Sequence, residues 1–241
     1  MNSDKVTNAV RSALAREPRI DLHANSLKIE LEAENALILE GELPSLAAKK
    51  IALRLAAQVP GVSGIADRLR VVPAKRMSDA QIRDHFRDAL LEEPAFDPCG
   101  IRTGDNGTWT TVREIPPASS NWIGASVLDG VITIDGQVGS LSHQRLAGAM
   151  AWWVPGTRDV VNGLEVSPPE TDGDDEITEA VKLVLEKDPL VNADRIRVRT
   201  RDATVTLEGL VSNKMEAEMA EVDTWSILGV EQVQNLLEPQ A

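Results

Sequence analysis

Three similar stretches mark corresponding positions of an internal repeat in this chain: Leu39-Glu40-Gly41, Ile134-Asp135-Gly136 and Leu207-Glu208-Gly209. Each joins an apolar residue, an acid and a glycine, which is typical of the end of a strand. A second glycine follows 20 residues after the first in every case, at Gly61, Gly156 and Gly229. Because this spacing recurs three times at a period longer than that of solenoid repeats, it predicts three small domains in tandem.

An amphipathic helix precedes each stretch. Its apolar residues follow an i, i+3, i+4, i+7, i+8 pattern, which predicts a helix with one buried face. The pattern starts at Val6, Ile82 and Ile177, and a proline stands 12 residues after each start, at Pro18, Pro94 and Pro189.

The remaining elements of each module are also predicted from pattern. Two strands follow the helix, over residues 27–33 and 37–39, 123–128 and 131–134, and 195–201 and 205–207. A second helix starts at a serine N-cap (Ser45, Ser140 or Ser212) and ends at the second glycine in a left-handed conformation. A last strand covers residues 65–72, 160–166 and 233–237. This order predicts an α+β fold of three αββαβ modules, each a three-stranded mixed sheet with two helices on one face.

The predicted modules span residues 1–74, 75–170 and 171–241. Module two departs from the pattern, because 42 residues separate its proline from its strand-end glycine, against 23 and 20 in the other modules. The surplus predicts a loop insertion at about residues 99–121, rich in Gly, Thr, Pro and Ser. We interpret it as a structured cover or interdomain contact, with a ligand-contacting or lipid-contacting lid as the alternative.

Charge limits the classes of partner. The net charge of −13 is distributed as +2 over residues 1–75, −6 over 76–170 and −9 over 171–241. Such an acidic protein is a poor match for nucleic acid and for simple adhesion to anionic lipid. No apolar run is long enough for a transmembrane segment. The first five residues lead directly into a helix, so we expect no signal peptide and a cytoplasmic location, or a periplasmic one if a leader is removed.

These motifs together resemble the BON domain (bacterial OsmY and nodulation). The similarity rests on the Glu-Pro or Asp-Pro helix ends, the strand ends quoted first, and the finishes Asn-Gly-Leu-Glu-Val (162–166) and Asn-Leu-Leu (235–237). It covers nearly all of the chain in three copies. The resemblance implies a bacterial, non-enzymatic module associated with phospholipid binding, envelope integrity and osmotic stress. It also suggests a cytoplasmic, potassium-binding role, since one relative pairs this module with a LysM domain.

The aromatic residues supply the first candidates for a binding surface. The chain has no tyrosine, two phenylalanines and five tryptophans. Trp152 and Trp225 lie four residues before the second glycine, and Trp153 lies three before it, away from the face that the second helix should bury. We interpret these residues as contacts between modules. The alternative for them, and for Trp109 in the insertion, is anchoring at a membrane interface.

Charged runs supply the second candidates. Arg195, Arg197, Arg199 and Arg201 alternate with smaller residues, so a strand would place all four guanidinium groups on one face. Such a row is most often a solvated face paired with carboxylates, and it could alternatively hold phosphate head groups. The acidic run at 172–176 predicts a linker and a helix start rather than a site for a hard cation.

The sequence does not favour an enzyme. His23, His85 and His143 occupy unlike places in their modules, and His85 is expected to be partly buried. The single cysteine, Cys99, excludes a disulfide framework and is expected to be a packed hydrophobe. No nucleotide-binding, zinc-protease or nucleophile-elbow motif is present. We therefore predict no catalytic residue, no cofactor and no metal site.

Three functions follow from these observations. The first is a non-catalytic binding protein, associated with phospholipid or the envelope and linked to osmotic or other stress. The second is an interaction scaffold joined through outward tryptophans. The third is a cytoplasmic module that responds to K⁺ or Ca²⁺. The sequence leaves the oligomeric state open.

Overall fold

A computed structural model describes residues 3–22, 26–32, 35–105 and 107–240, and the elements given below are those of these residues. They divide between two compact units, residues 1–72 and 73–241. The second and third predicted modules therefore share one unit. The predicted boundaries near residues 74 and 170 stay a prediction.

The first unit is a single module. Its elements are α1 (Ser3–Leu14), β1 (Lys28–Leu31), β2 (Ala36–Leu43), α2 (Leu46–Ala57) and β3 (Gly64–Val71). The central strand β2 is antiparallel to β1 and parallel to β3. The helical stripe of α1 buries Val6, Val10 and Leu14. The predicted three-stranded mixed sheet is thus confirmed in this module.

The second unit contains the other two modules. Module two has α3 (Asp79–Glu92), β4 (Gly100–Asp105), β5 (Thr108–Arg113), β6 (Trp122–Leu128), β7 (Val131–Val138), α4 (Leu141–Trp153) and β8 (Asp159–Val166). Module three has α5 (Asp174–Lys187), β9 (Ile196–Arg201), β10 (Thr204–Val211), α6 (Lys214–Ser226) and β11 (Gln232–Pro239). Module three repeats the order of module one, with β10 at the centre of a three-stranded sheet.

The predicted loop insertion is wrong in one respect: much of it is a β-hairpin. Strands β4 and β5 pair with each other, and β4 adds in parallel to β6, so the sheet has five strands in the order β5-β4-β6-β7-β8. Arg113 anchors the hairpin, because its side chain donates to the carbonyl oxygens of Phe96 and Cys99. The insertion therefore widens the sheet, and the three-stranded prediction does not hold for module two.

The recurring strand-end glycines have a direct physical cause. Gly41, Gly136 and Gly209 lie inside the central strands with φ of 142°, 135° and 147°, where side-chain-bearing residues are rarely found. A Cβ atom at Gly136 would collide with the carbonyl group of Trp122, and one at Gly209 with that of Arg195. The glycine allows the start of the antiparallel neighbouring strand to lie close to the central strand.

A helix N-terminus holds the hairpin turn in modules two and three. The carboxylate of Asp79 accepts from the N–H groups of Asp129 and Gly130, at 2.9 and 2.8 Å. In module three, Asp174 accepts from Asp202 and Ala203 at 2.8 and 3.0 Å. The acidic run at 172–176 thus begins a helix, as expected, and its Asp174 also closes a turn.

The predicted helix ends need small corrections. Ser45 and Ser140 cap α2 and α4, but α6 is capped by Asn213 instead of Ser212, since the Asn213 side chain accepts from the Glu216 N–H. The helices end before the second glycines. Gly61 and Gly229 have positive φ, at 99° and 96°, as predicted. Gly156 does not, and it is required for packing, because a Cβ there would lie 2.8 Å from atoms of Met77 and Ile82.

In modules two and three, an asparagine in the last strand joins that strand to the second helix. Asn162 donates from Nδ2 to the carbonyl oxygen of Gln144 at 2.7 Å, and Asn235 donates to that of Ala217 at 2.9 Å. In module one, Asp67 takes the corresponding position and forms a 3.0 Å ion pair with buried Lys49. The motif therefore fixes the helix on the sheet.

Candidate binding surfaces

One face of each sheet is covered by helices, and the other face is open. In the middle sheet the helix side carries buried Ile101, Ile123 and Ile134. Since side chains alternate along a strand, the open side carries Arg102, Gly104, Trp122 and Gly124. Trp109 lies opposite Gly104 on β5 and shares this side. We call these five residues the tryptophan patch.

The ring of Trp109 packs against Gly104 and Gly124, which we call the glycine floor. A Cβ atom at Gly104 would lie 3.3 Å from two atoms of the Trp109 ring, and one at Gly124 would lie 2.9 Å from its Cζ3 atom. The ring of Trp122 also reaches Gly124, where the same Cβ would lie 3.0 Å away. Both rings therefore need glycine beneath them. Trp109 nevertheless remains 46% exposed, so its outer face is accessible.

Arg102 adds a cation to the patch. Its guanidinium carbon lies 5.1 Å from the ring centroid of Trp122, which is the geometry of a cation–π contact. At a partly exposed site this contact contributes about 0.5–1 kcal/mol and holds the guanidinium close to the aromatic surface. The patch thus combines exposed aromatic area with a fixed positive charge.

The predicted arginine row lies on the open face of module three. Arg197, Arg199 and Arg201 are exposed on the edge strand β9, and they alternate with buried Ile196 and Val198. Arg195 is also exposed, in the short 3₁₀ turn that precedes the strand. The row therefore exists as predicted. Its use as a lipid or partner contact stays a prediction.

A shallow cavity lies on the open face of the same sheet. It has a volume of about 400 Å³ and is lined by Glu208, Gly209, Leu210, Leu236 and Glu238. Arg197 lies opposite Glu208 in the strand pairing. Carboxylates therefore stand next to the arginine row, which matches the solvated face that we expected for it.

Of the other candidate tryptophans, Trp153 lies in the contact between modules two and three. Trp153 on α4 donates from Nε1 to Oδ1 of Asp223 on α6, at 2.8 Å. Trp225 is only 1% exposed, and Trp152 and Trp153 are partly buried. Trp225 is thus not accessible to a lipid surface in this structure, which gives no support to the membrane-anchor alternative for this residue and is consistent with the packing between modules that we expected.

Arg145 is a second residue of this contact, and it was not predicted. It is 1% exposed on α4, yet its guanidinium donates to the carbonyl oxygen of Leu228 at 2.8 Å and to Asp172 at 2.7 Å. Its Nη1 atom has no hydrogen-bond partner among the described residues. Arg145 therefore ties module two to the linker and to the end of α6.

Asp223 is the third residue of this contact, and it is fully buried. Burial raises the pKa of its carboxyl to about 8, and the nearby Asp188 carboxyl adds to the increase, against the lowering effect of the Trp153 N–H. A protonated Asp223 avoids placing an unpaired negative charge between the modules. The contact therefore favours the protonated form of this carboxyl.

The residues considered for catalysis are scattered. Cys99 is buried, as expected, and burial raises the pKa of its thiol. His143 contacts the Ser140 hydroxyl at 2.6 Å, next to the ring of Phe96. His85 is exposed, so its predicted partial burial is wrong. The next residue, Phe86, takes the buried position on α3 instead. His23 lies outside the described residues.

Metal and membrane features give two further findings. Among the described residues, no group of three His, Cys, Asp or Glu side chains could hold a metal ion. In the same part of the chain, no helix is long and apolar enough to cross a membrane.

The family of the chain is established by comparison with known domains. The model of the BON domain matches residues 2–73, 112–168 and 173–240, and the chain therefore belongs to the BON domain family. Proteins of this family are of a binding, stress-related kind and are generally not enzymes. The second match omits residues 74–111, which contain α3, β4 and most of β5. The absence of catalysis in this particular chain stays a prediction.

Other comparisons add little. No curated protein matches the chain. One similar solved structure is the C-terminal domain of CdsD, a structural protein of the type III secretion system of Chlamydia trachomatis, with 12% identity, full coverage of both chains and a TM-score of 0.25. A second structure of CdsD has 13% identity, covers 98% of this chain and 93% of its own, and has a TM-score of 0.24. At these TM-scores the similarity carries no argument about fold or function.

Proposed function

We propose that this BON protein associates with phospholipid surfaces and that the tryptophan patch is its main contact. The observation that carries the proposal is the exposed ring of Trp109 next to the Arg102–Trp122 pair. Tryptophan favours the membrane–water interface because its ring is largely apolar and carries one polar N–H. A guanidinium group can bind a phosphate head group through two parallel hydrogen bonds.

The arginine row supports the proposal from module three. Arg197, Arg199 and Arg201 add exposed positive charge to a chain with a net charge of −13. Binding to anionic lipid therefore depends on local cations, because the protein as a whole is repelled by such a surface. A link to osmotic or other stress rests on the family alone.

The scaffold function is supported by a different observation. Trp153 and Arg145 connect module two to module three through the side chain of Asp223 and the carbonyl oxygen of Leu228. These contacts lie within one chain, so they support a role in joining modules. Under this second proposal, partner contact is separate from the tryptophan patch.

The test is co-sedimentation with vesicles of phosphatidylcholine and of phosphatidylglycerol, at low and high salt. We expect the wild-type protein to sediment with at least one vesicle type, and the Trp109→Ala variant to lose most of this binding. Leu128→Ala is the matched control, because Leu128 is 72% exposed on the same sheet but lies outside the patch. Absence of sedimentation with both vesicle types would overturn the proposal.

Fluorescence identifies the contact. We expect vesicles to shift the tryptophan emission of the wild-type protein to the blue, since Trp109 would leave water. The Trp109→Phe variant keeps an aromatic ring on the glycine floor, so it should still sediment while the blue shift is lost. Arg199→Gln should weaken binding only to phosphatidylglycerol, and this effect should diminish at high salt.

A further inference from the structure

Strand β5 is an unprotected edge of the middle sheet. Edge strands expose unpaired backbone N–H and C=O groups, and proteins usually block them with charged residues or proline. The described sheets have six edge strands, and the five others carry such residues: Lys28 and Glu30 in β1, Asp67, Arg68 and Arg70 in β3, Asp159 and Glu165 in β8, Arg197, Arg199 and Arg201 in β9, and Glu238 and Pro239 in β11. β5 carries a single charged residue, Arg113, at its last position, and its residues 108–112 carry neither charge nor proline.

The composition of β5 favours pairing. Its sequence is Thr-Trp-Thr-Thr-Val-Arg, and β-branched and aromatic residues are the strongest strand formers. Residues 108–112 are all exposed. The only charged residue, Arg113, is directed to the carbonyl oxygens of Phe96 and Cys99 instead of blocking the edge. The outer side of β5 is therefore a template for another strand.

We infer that β5 pairs antiparallel with β5 of a second copy of this chain, which joins two five-stranded sheets into one continuous sheet. A second copy fits this strand, because residues 108–112 are uncharged and two copies can pair here without placing like charges opposite each other. Two chains with a net charge of −13 repel each other, and the repulsion is lowest where an uncharged strand meets an uncharged strand. The inference concerns assembly, and it stands independently of the proposed lipid binding.

Two-fold symmetry selects the register. A two-fold axis perpendicular to the sheet keeps facing side chains on the same side only when one residue pairs with its own copy. Centring the axis on Thr110 uses residues 108–112 and places Trp109 opposite Thr111 of the second copy. Both residues lie on the open face, since they pair with Gly104 and Arg102 in β4. Aromatic and β-branched pairs of this kind stabilise sheets.

The pairing has a geometric consequence. Because the axis is perpendicular to the sheet, both copies present their open faces on the same side. The two tryptophan patches then lie on one continuous surface, on either side of the joined β5 strands. A flat surface could contact both patches at once. Its affinity for the dimer would then be higher than for one copy, because the first contact raises the effective concentration of the second.

Sedimentation equilibrium of the full chain tests the inference. We expect the wild-type mass to rise with concentration from 26.1 kDa toward twice this value, and to rise more readily at high salt, which screens the repulsion. Thr110→Lys should keep the protein monomeric, because it places two like charges opposite each other at the axis. Gln234→Lys, which adds the same charge on the exposed edge strand β11, should leave the association unchanged.

Cysteine cross-linking tests the register. Directly opposite residues in an antiparallel pair have Cα atoms about 4.5–5.5 Å apart, within the range of a disulfide. The Thr110→Cys variant should therefore form covalent dimers under mild oxidation, whereas Gln234→Cys should not. The native Cys99 is buried and serves as an internal control. A wild-type protein that stays monomeric at all concentrations and salt levels would overturn the inference and leave the edge to a strand of another protein.

Discussion

The buried carboxyl of Asp223 leads us to predict how the free energy of unfolding depends on pH. Burial, together with the neighbouring Asp188, raises the pKa of Asp223 from 3.8 to about 8. The folded protein therefore keeps a proton that the unfolded chain releases above pH 4. Stability is gained at low pH and is lost as the pH rises through this window, because the unfolded state then binds fewer protons than the folded state.

The magnitude follows from the size of the shift. Each pKa unit corresponds to about 1.4 kcal/mol, so the shift of Asp223 corresponds to at most about 6 kcal/mol between pH 4 and pH 8. Asp223→Asn removes the ionisation and keeps an oxygen to accept from the Trp153 N–H. We expect the variant to match the wild-type protein near pH 4 and to be more stable above it, by an increment of up to about 1.4 kcal/mol per pH unit.

The assay is urea unfolding followed by tryptophan fluorescence at several pH values. All five tryptophans lie between residues 109 and 225, so the signal reports only on the unit formed by residues 73–241. The matched control is Asp202→Asn, because Asp202 is exposed on a turn of module three. A difference between Asp223→Asn and the wild-type protein that does not change with pH would refute the reasoning.

Two further substitutions test the repeated backbone devices. Gly136→Ala should destabilise the second unit by about 3 kcal/mol or more, because φ is 135° and the added Cβ would collide with the carbonyl group of Trp122. The control Gly139→Ala should change the free energy of unfolding little, because its added Cβ would make only an ordinary contact, 3.4 Å from Nδ2 of Asn121. Asp174→Ala should cost about 1–3 kcal/mol through the loss of the bonds from Asp202 and Ala203, while Asp175→Ala should not. Urea unfolding measures both, and equal effects in a pair would contradict the assigned role.

Much of the fold could be predicted because its signals are local. The stripe Ile177, Ala180, Val181, Val184 and Leu185 is fully buried on α5, as its helical spacing predicts. The strand-end glycines mark backbone geometry that other residues rarely adopt, so their spacing carries the repeat. Even the error at Ser212 is small, because Asn213 provides the same type of cap one residue later.

The contact between modules two and three could be predicted only in part: the position of Trp153 indicated it, but its polar residues Arg145 and Asp223 were not predicted. A single helical stripe identifies one buried face, but α6 is buried on more than one side because α4 of module two packs against it. Asp223, which a single helical stripe would leave in solvent, is then buried. The polar part of this contact has no local signal in the sequence, because Leu228, which accepts from Arg145, lies 83 residues away.

The hairpin shows why binding features are harder to infer than the fold. Its glycines and threonines are typical of a loop, but Gly104 and Gly124 are required as a floor for Trp109, which the alternation within β5 alone does not reveal. Arg102 approaches Trp122 only because β4 joins β6 in parallel, a pairing between residues 22 positions apart. The same insertion provides both an exposed aromatic surface and an unprotected edge. The repeat therefore determines the scaffold, and we expect the binding properties to follow from the place where module two departs from it.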